Sequence, residues 1–394
     1  MRTYDILNAG RKHRFMAAGR IVSNSGRVFQ PQNLPRSPDW FDEHVQEMTV
    51  AAFKADCEDL LWANISERCA FAVRGCLVAA EGHKFAIADL SNIEGRVVAW
   101  SAGEQWKLDA FKLYDRGEGP DLYKVTAGRI LGKDPSEVTK AERQLPGKVS
   151  ELFASYGGAV GAARTMGGPA MEAMSDEDIL EIVRAWRAAN PRIKRFWYDM
   201  EGAAKQAIEN PGEAFFVGEA ARFDVRRGPD GTQWLRMRLP SGRYLCYPRP
   251  AVDAEQCSRC SGAGTVGFEH NGEMKELKCP SCGGSGEQGS GRITYEGTNQ
   301  YTRKWQRLDT YGGKIVENHT QAVARDVFMH GLRRAEEAGY AVVLRVHDEL
   351  VCEVPDEPGY THEALAAMMA ENPGWTTGLP LAAAGFTSRR YRKD

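Results

Sequence analysis

Residues 341–354 read Ala-Val-Val-Leu-Arg-Val-His-Asp-Glu-Leu-Val-Cys-Glu-Val. The runs 341–346 and 350–354 have the length and β-branched content of strands. Between them stand His347, Asp348 and Glu349. Such a triplet cannot be core filler, because an unpaired buried carboxylate is costly. A hairpin turn is one reading, but the triplet holds no Gly, Asn or Pro to favour it. A second acidic strand end lies upstream, where residues 84–89 alternate and finish on Asp89. Taken alone, Asp89 reads equally as a cap for the helical segment beginning near Ser91. Two acidic groups on strand ends suggest a divalent-metal site, and hard oxygen ligands suit Mg²⁺.

Outward from these segments the spacing predicts a strand over 71–80, paired with 84–89 around Glu81-Gly82-His83. A loosely periodic helix is expected over 45–61, and helical spacing resumes at Ile93. Further helices are expected over 120–131, 147–155, 176–189 and 192–209, the last two parted by Asn190-Pro191. Residues 222–247 alternate like an antiparallel hairpin with turns at Pro229-Asp230-Gly231 and Pro240-Ser241-Gly242. A Gly-rich insert over 251–291 precedes a short strand at 293–295 and a strong helix over 315–338. No solenoid-period repeat is present. The expected class is α+β.

With 394 residues the chain suits two or three domains, or one large one. Its 42% hydrophobic and 26% charged content excludes a mostly disordered chain. Lys and Arg number 51 against 53 Asp and Glu, a net charge of -2, so no whole-chain basic footprint marks a nucleic-acid binder. A local basic groove remains compatible with that average. No stretch approaches the roughly 18–20 apolar residues of a membrane span, and residues 1–10 lack a signal-peptide core. The expectation is a soluble, cytoplasmic protein with no membrane partner.

Of nine cysteines, Cys57, Cys69, Cys76, Cys246 and Cys352 sit among apolar neighbours and read as buried free thiols. The other four form Cys257-Ser258-Arg259-Cys260 and Cys279-Pro280-Ser281-Cys282, each followed by Gly-rich turns. Two matching knuckles can converge four thiolates on a structural Zn²⁺. The alternative, a pair of redox dithiols, lacks the helix start of a thioredoxin-like pattern. The knuckles resemble those of heat-shock cochaperones, a likeness that implies no chaperone activity.

The acidic strand ends and their surroundings resemble the family-A (bacterial DNA polymerase I-like) DNA polymerases. Ala88-Asp89-Leu90-Ser91-Asn92-Ile93-Glu94-Gly95-Arg96 is similar to motif A, which typically reads Asp-Tyr-Ser-Gln-Ile-Glu-Leu-Arg. Val346-His347-Asp348-Glu349-Leu350-Val351 matches motif C. Lys148, with Tyr156-Gly157 eight residues on, resembles motif B on the fingers helix. Asn318 to Asp326, with Gln321 and Arg325, resembles the helix that touches the primer–template minor groove. Gly19-Arg20 through Gln32-Asn33-Leu34-Pro35-Arg36 resembles the segment that contacts the template duplex. These motifs keep the family's order across nearly the whole chain. The Thr310-Tyr311-Gly312-Gly313-Lys314 run looks most like bacteriophage or prophage members.

The resemblance implies a right-hand polymerase palm and fingers with an antiparallel palm sheet, and a DNA polymerase that extends a primer by two-metal-ion phosphoryl transfer. Asp89 and Asp348 would bridge two Mg²⁺ ions, the Leu90 carbonyl would complete one site, and Glu349 would assist. Lys148, Leu152 and Tyr156, spaced by four, share one helical face toward the dNTP. In other contexts Lys148 would be a solvated charge and Tyr156 core. Glu94 would close off the sugar 2′ position; its bland alternative is a surface carboxylate paired with Arg96 or Arg74. Arg20, Gln32, Asn33, Arg36, Gln321, Arg325 and His347 would contact DNA.

Several positions depart from the family. Gln144 stands where the fingers helix normally has Arg, so the triphosphate contact falls to Arg143, one residue off across Pro146. Leu152 replaces a frequent aromatic, Gly95 a larger residue, and Tyr123 a frequent His. Basic residues Arg236, Arg238, Arg243 and Arg249, interleaved with Trp234, Tyr244 and Tyr247, suit either a DNA channel or an ordinary strand pair. Arg303, Lys304, Trp305 and Arg307 pose the same choice.

The expected divisions are 1–88 as an N-terminal palm or residual thumb-base segment, 89–119 as palm motif A, and 120–220 as fingers. A basic hairpin follows over 221–250, the four-cysteine zinc insertion over 251–291, and the C-terminal palm over 292–394. Only 88 residues precede Asp89. A truncated or absent thumb and no exonuclease domain are therefore expected, with a separate polypeptide to supply thumb, exonuclease or processivity function. Rival readings are a single-subunit RNA polymerase-like enzyme, which Glu94 disfavours, and a catalytically idle zinc-stabilised DNA-binding replisome scaffold, which intact Asp89 and Asp348 disfavour. A phage-encoded enzyme would work in the cytoplasm of its bacterial host.

Overall fold

The computed structural model describes residues 14–17, 20–23, 35–38, 40–254, 256–270, 273–287, 291–299 and 302–392. The alternation ending on Asp89 builds a strand, His83–Leu90, buried throughout Phe85–Ala88. It is the third strand of a four-stranded antiparallel sheet, between Glu349–Pro355 and Ala383–Ser388, with Ala341–Val346 on the outer side of Glu349–Pro355. Phe85, Ile87, Val346, Val351 and Tyr391 form one apolar cluster on this sheet. The helix His362–Met369 packs on it, started by Thr361, whose hydroxyl accepts from Ala364 N at 3.1 Å.

The chain divides into two compact units. One comprises residues up to 91 with 328–371 and 382–394, and so holds this sheet; the other comprises 92–327 and 372–381. In the sheet unit, residues 71–80 are not the strand expected from their apolar run. Ile65–Gly75 is a helix, begun by Asn64, whose side chain accepts from Glu67 N at 3.2 Å. The helix-forming Glu67, Arg68 and Ala70 lie upstream of the run, so a reading begun at Phe71 cut the helix midway. The region 45–61 likewise divides into Glu43–Lys54 and Glu58–Leu61.

The other unit is helical around Trp186, Trp197, Phe196 and Met200, all buried. Asp176–Ala189 and Pro191–Glu209 follow the expected pattern, with Pro191 at a first-turn position that needs no N–H. The alternating region is more than a hairpin. Ala214–Val217, Ala221–Arg227, Gln233–Arg238 and Tyr244–Pro248 form a four-stranded antiparallel sheet in chain order. Ala251–Asp253, Arg292–Thr298 and Trp305–Thr310 form a second sheet, and Thr265–His270 pairs with Glu273–Lys278 inside the insert. The helix Gly312–Glu337 contributes residues to both units.

The scattered cysteines depart from expectation. Cys352 is buried, but Cys69, Cys76 and Cys246 are exposed and Cys57 is partly so. Apolar neighbours in sequence do not fix which face of a helix or strand a residue takes. Among the described residues no helix is long and apolar enough to cross a membrane.

Candidate functional site

The acidic residues converge through strand register. Glu349 pairs directly with Asp89, and Leu90 N donates to the Asp348 carbonyl at 3.1 Å. Asp89, Asp348 and Glu349 therefore arrive at one end of one sheet. Asp89 and Asp348 are half-exposed, whereas Glu349 is 2% exposed and accepts from the Tyr391 hydroxyl at 2.6 Å. Arg74, also buried, donates to that hydroxyl at 3.2 Å. His347-Asp348 does form a tight two-residue turn, against the expectation from its composition. Exposed His347 supplies the left-handed conformation itself, at φ +58°. His, with Asn and Asp, is among the non-glycine residues enriched there.

The helical unit carries a cleft of about 220 Å³. Glu94, Leu152, Tyr156 and Gln321 from the sequence reading all line it, together with Asn92, Tyr123, Tyr311 and Glu317. Leu152 is 42% exposed at the end of the helix Val149–Ala154, and Tyr156 follows in the turn after it. The Tyr156 hydroxyl donates to Glu94 Oε2 at 3.5 Å. Burial, and then the Glu94 charge, push the Tyr156 phenol well above its usual range, so it stays a neutral donor. Of the two arginines named as alternative partners of Glu94, Arg96 makes a bidentate pair with Asp115, both contacts at 2.6 Å, and Arg74 lies in the other unit. Gly95 leaves room for Asn92: a Cβ there would fall 2.5 Å from Asn92 Oδ1.

The backbone ahead of Lys148 is irregular. Residues 143–148 form a widened turn in which Leu145 leaves helical geometry at φ −138°, ψ 117°. Arg143 does not line the cleft. Its Nε donates to Asp121 Oδ2 at 2.9 Å, and its guanidinium lies 5.2 Å from the Tyr123 ring centre. Lys148 is half-buried just ahead of Val149 and is likewise outside the cleft lining.

Among the proposed DNA contacts, Gln321 and Arg325 are exposed one turn apart on Gly312–Glu337. Arg36 is exposed in the sheet unit, and Arg20 lies in the strand Arg20–Ser23. Gln32 and Asn33 lie outside the described residues. Four arginines in or beside this sheet are engaged by acids. Arg236 and Arg222 hold Asp224, Arg243 donates to Asp326 at 2.7 Å, and Arg249 to Glu296 at 3.2 Å.

Sequence reasoning missed Asn92, Tyr311 and Glu317 as cleft residues. The signal was the Gly312-Gly313 doublet. A Cβ on Gly313 would fall 2.1 Å from the Tyr156 carbonyl oxygen, and one on Gly312 2.1 Å from that of Trp197. The Tyr311 hydroxyl donates to the same Tyr156 carbonyl at 3.3 Å.

In the insert, the Sγ atoms of Cys257, Cys260, Cys279 and Cys282 all lie within 4.8 Å of one another, a group able to hold a metal ion. Gly264 N and Gly286 N donate to Cys260 and Cys282 Sγ, each at 3.3 Å. The two knuckles interlock at glycine: a Cβ on Gly264 would fall 2.5 Å from the Gly284 carbonyl oxygen, and one on Gly286 2.4 Å from that of Gly262. Burial opposes ionisation of Cys282, but bonds from the Gly284 and Gly286 amides, together with the Cys260 and Cys279 thiols, bring its pKa down to about 6.

No family model matches the chain. Over 381 residues, 96% of this chain and 52% of the relative, it is 33% identical to the DNA polymerase of Bacillus phage SP02. The chain thus spans about half the length of that polymerase. A 73-residue stretch, 18% of this chain and 12% of the relative, is 44% identical to DNA polymerase I of Aquifex aeolicus (strain VF5). Another of 96 residues, 24% of this chain and 10% of the relative, is 34% identical to DNA polymerase I of Chloroflexus aurantiacus (strain ATCC 29366 / DSM 635 / J-10-fl). Among solved structures, the POL domain of Pol1 from M. smegmatis, in complex with DNA primer-template and dNTP, aligns with a TM-score of 0.49 at 16% identity, covering 95% of this chain and 46% of that one. The chain is related to the family-A DNA polymerases. The match to the phage SP02 enzyme spans nearly the whole of this chain.

Proposed function

We propose that this chain is a template-directed DNA polymerase that adds deoxynucleotides to a primer 3′ end by two-metal-ion phosphoryl transfer, in phage DNA replication. The observation that carries the proposal is the register of Glu349 against Asp89, with Leu90 N on the Asp348 carbonyl, which brings the acids of both family motifs to one sheet end. In this reading the sheet is the palm, and of the cleft residues Tyr123, Leu152 and Tyr156 belong to the fingers. Asp89 and Asp348, with the Leu90 carbonyl, hold Mg²⁺. Their hard oxygen donors suit that ion, which supplies Lewis-acid stabilisation of the charge that develops during phosphoryl transfer.

The protein's own residues bind and orient. Tyr156 and Leu152 receive the base and sugar of the dNTP, Lys148 and Arg143 face its phosphates, and Glu94, held by the Tyr156 hydroxyl, excludes a 2′-hydroxyl. Arg143 would have to leave Asp121 to do so. Arg20, Gln32, Asn33, Arg36, Gln321, Arg325 and His347 contact primer–template DNA. The four cysteines hold a structural Zn²⁺. A tetrahedron with Zn–S of about 2.3 Å has S–S edges of roughly 3.8 Å, and the Cys257–Cys279 and Cys260–Cys282 separations are both 3.7 Å.

Primer extension with Mg²⁺ tests the reading directly. Deoxynucleotides should be incorporated according to template and ribonucleotides far less. Extension with ribonucleotides alone would favour an RNA polymerase, and binding of DNA without any extension a scaffold.

A further inference from the structure

Glu151 lies directly before Leu152 on the wall of the cleft, yet it is only 8% exposed. Its carboxylate takes donors from three other helices. Oε1 accepts from Thr126 Oγ1 at 2.7 Å and from Trp186 Nε1 at 3.1 Å. Oε2 accepts from Lys107 Nζ at 2.7 Å. Lys107 is fully buried, its ammonium 4.8 Å from the Trp186 ring centre and 5.5 Å from that of Trp106. Burial draws Lys107 below its ordinary range, while the Glu151 charge acts to raise it. Two charges sunk among aromatic rings gain little stability over apolar residues of the same volume. What they fix is a geometry.

The neighbouring contacts serve the same segment. Trp186 stacks on Trp197 at 6.3 Å, and Trp197 Nε1 donates to the Ser155 carbonyl at 2.8 Å. Arg187 donates to the carbonyls of Gly157 and Gly158 at 3.2 and 3.3 Å. Residues 151–158 are thus gripped at Glu151, at Ser155 and at the glycine pair, with Leu152 and Tyr156 between the grips.

We propose that Glu151 is a positioning residue. Through its pair with Lys107 and its bonds from Thr126 and Trp186, it sets the placement of Leu152 and Tyr156 and so the affinity for the incoming nucleotide. This rests on the polymerase reading. The mechanism is mechanical: an anchor in the helix packing, with no contact between Glu151 and substrate.

The test uses the full chain, measuring primer extension and, separately, dNTP binding to the chain on a dideoxy-terminated primer–template by titration calorimetry. If the unmodified chain neither extends nor binds dNTP, the polymerase reading falls and this inference with it. If it does both, the variants judge the inference alone. Glu151→Gln keeps the shape but leaves Lys107 buried without its counter-charge. Its dNTP KM and Kd should rise by about tenfold or more, with primer–template affinity held within about twofold. Lys107→Met/Glu151→Gln, which removes both charges, should recover to within about threefold of the unmodified chain. An unchanged dNTP KM in folded Glu151→Gln overturns the proposal. So does a double variant as impaired as the single, since the carboxylate would then act without Lys107. Should Glu151→Gln fail to fold, Trp186→Phe removes one donor and leaves the charge pair. A dNTP KM raised about threefold in that variant supports the anchor, and an unchanged one overturns it.

Discussion

The Tyr391 hydroxyl donates to Glu349 Oε1 at 2.6 Å while accepting from Arg74 at 3.2 Å, bridging two buried charged groups beneath the acidic end of the sheet. Burial, followed by the bond to Glu349, raises the Tyr391 phenol well above its usual range, so the bridge keeps its proton. Tyr391→Phe removes it from between the two charges. A buried hydrogen bond to a charged group contributes about 1.5–3 kcal/mol, and urea unfolding should show a loss of that order. Unchanged stability would mean that Arg74 and Glu349 are satisfied without the phenol.

Gly313 sits where a side chain would strike the Tyr156 carbonyl oxygen at 2.1 Å. Gly313→Ala should therefore displace Tyr156 and raise the dNTP KM by about tenfold or more, since small misplacements in a reacting geometry cost up to roughly 10²-fold. Steady-state primer extension reads this, with primer–template affinity as the control. A normal KM would show that Tyr156 does not set nucleotide affinity.

His319 is fully buried, with Nε2 at 3.0 Å from the Ala220 carbonyl and the Phe196 ring edge-on at 5.8 Å. Burial lowers its pKa to about 4 against an ordinary 6.5. Between those values the unfolded chain binds a proton that the folded chain does not. Stability is thus fully present above about pH 6.5 and is lost as pH falls toward about 4, by at most roughly 1.4 kcal/mol per unit. Urea unfolding at several pH values across this window should show a shallower acid loss in His319→Gln. Parallel curves for the two proteins would contradict the assignment.

The four-cysteine group predicts one zinc per purified chain, read by elemental analysis. Cys257→Ser or a chelator should remove it and abolish amide-exchange protection over residues 256–287, because ligand binding there is folding energy. Protection in the strand His83–Leu90 should survive. Zinc-free protein with the knuckles still protected would count against a structural metal.

Much of this was visible in the sequence because it rests on local pattern. Asp89 and Asp348 stand out as acids ending apolar strands, and Lys148 with Tyr156-Gly157 stands out as a likeness to motif B. What lay hidden depends on tertiary partners. Nothing beside Arg143 announces that Asp121 holds it, and nothing around Lys107 marks Glu151, 44 residues away, as its partner. Composition disfavours the turn at His347, because a histidine, with no glycine beside it, takes the left-handed conformation. The helix Ile65–Gly75 escaped because its cap, Asn64, lies seven residues before the apolar run that drew the reading.

Single-turnover incorporation of one templated deoxynucleotide, in Mg²⁺, by the unmodified chain and by Asp348→Asn bears most directly on the role of the acidic sheet end. The asparagine keeps the size and removes the charge. If Asp348 clamps metal as proposed, incorporation should fall by about 10³-fold or more through loss of stabilisation made in the transition state, while primer–template affinity stays within about threefold. Incorporation by Asp348→Asn at the rate of the unmodified chain would contradict the account.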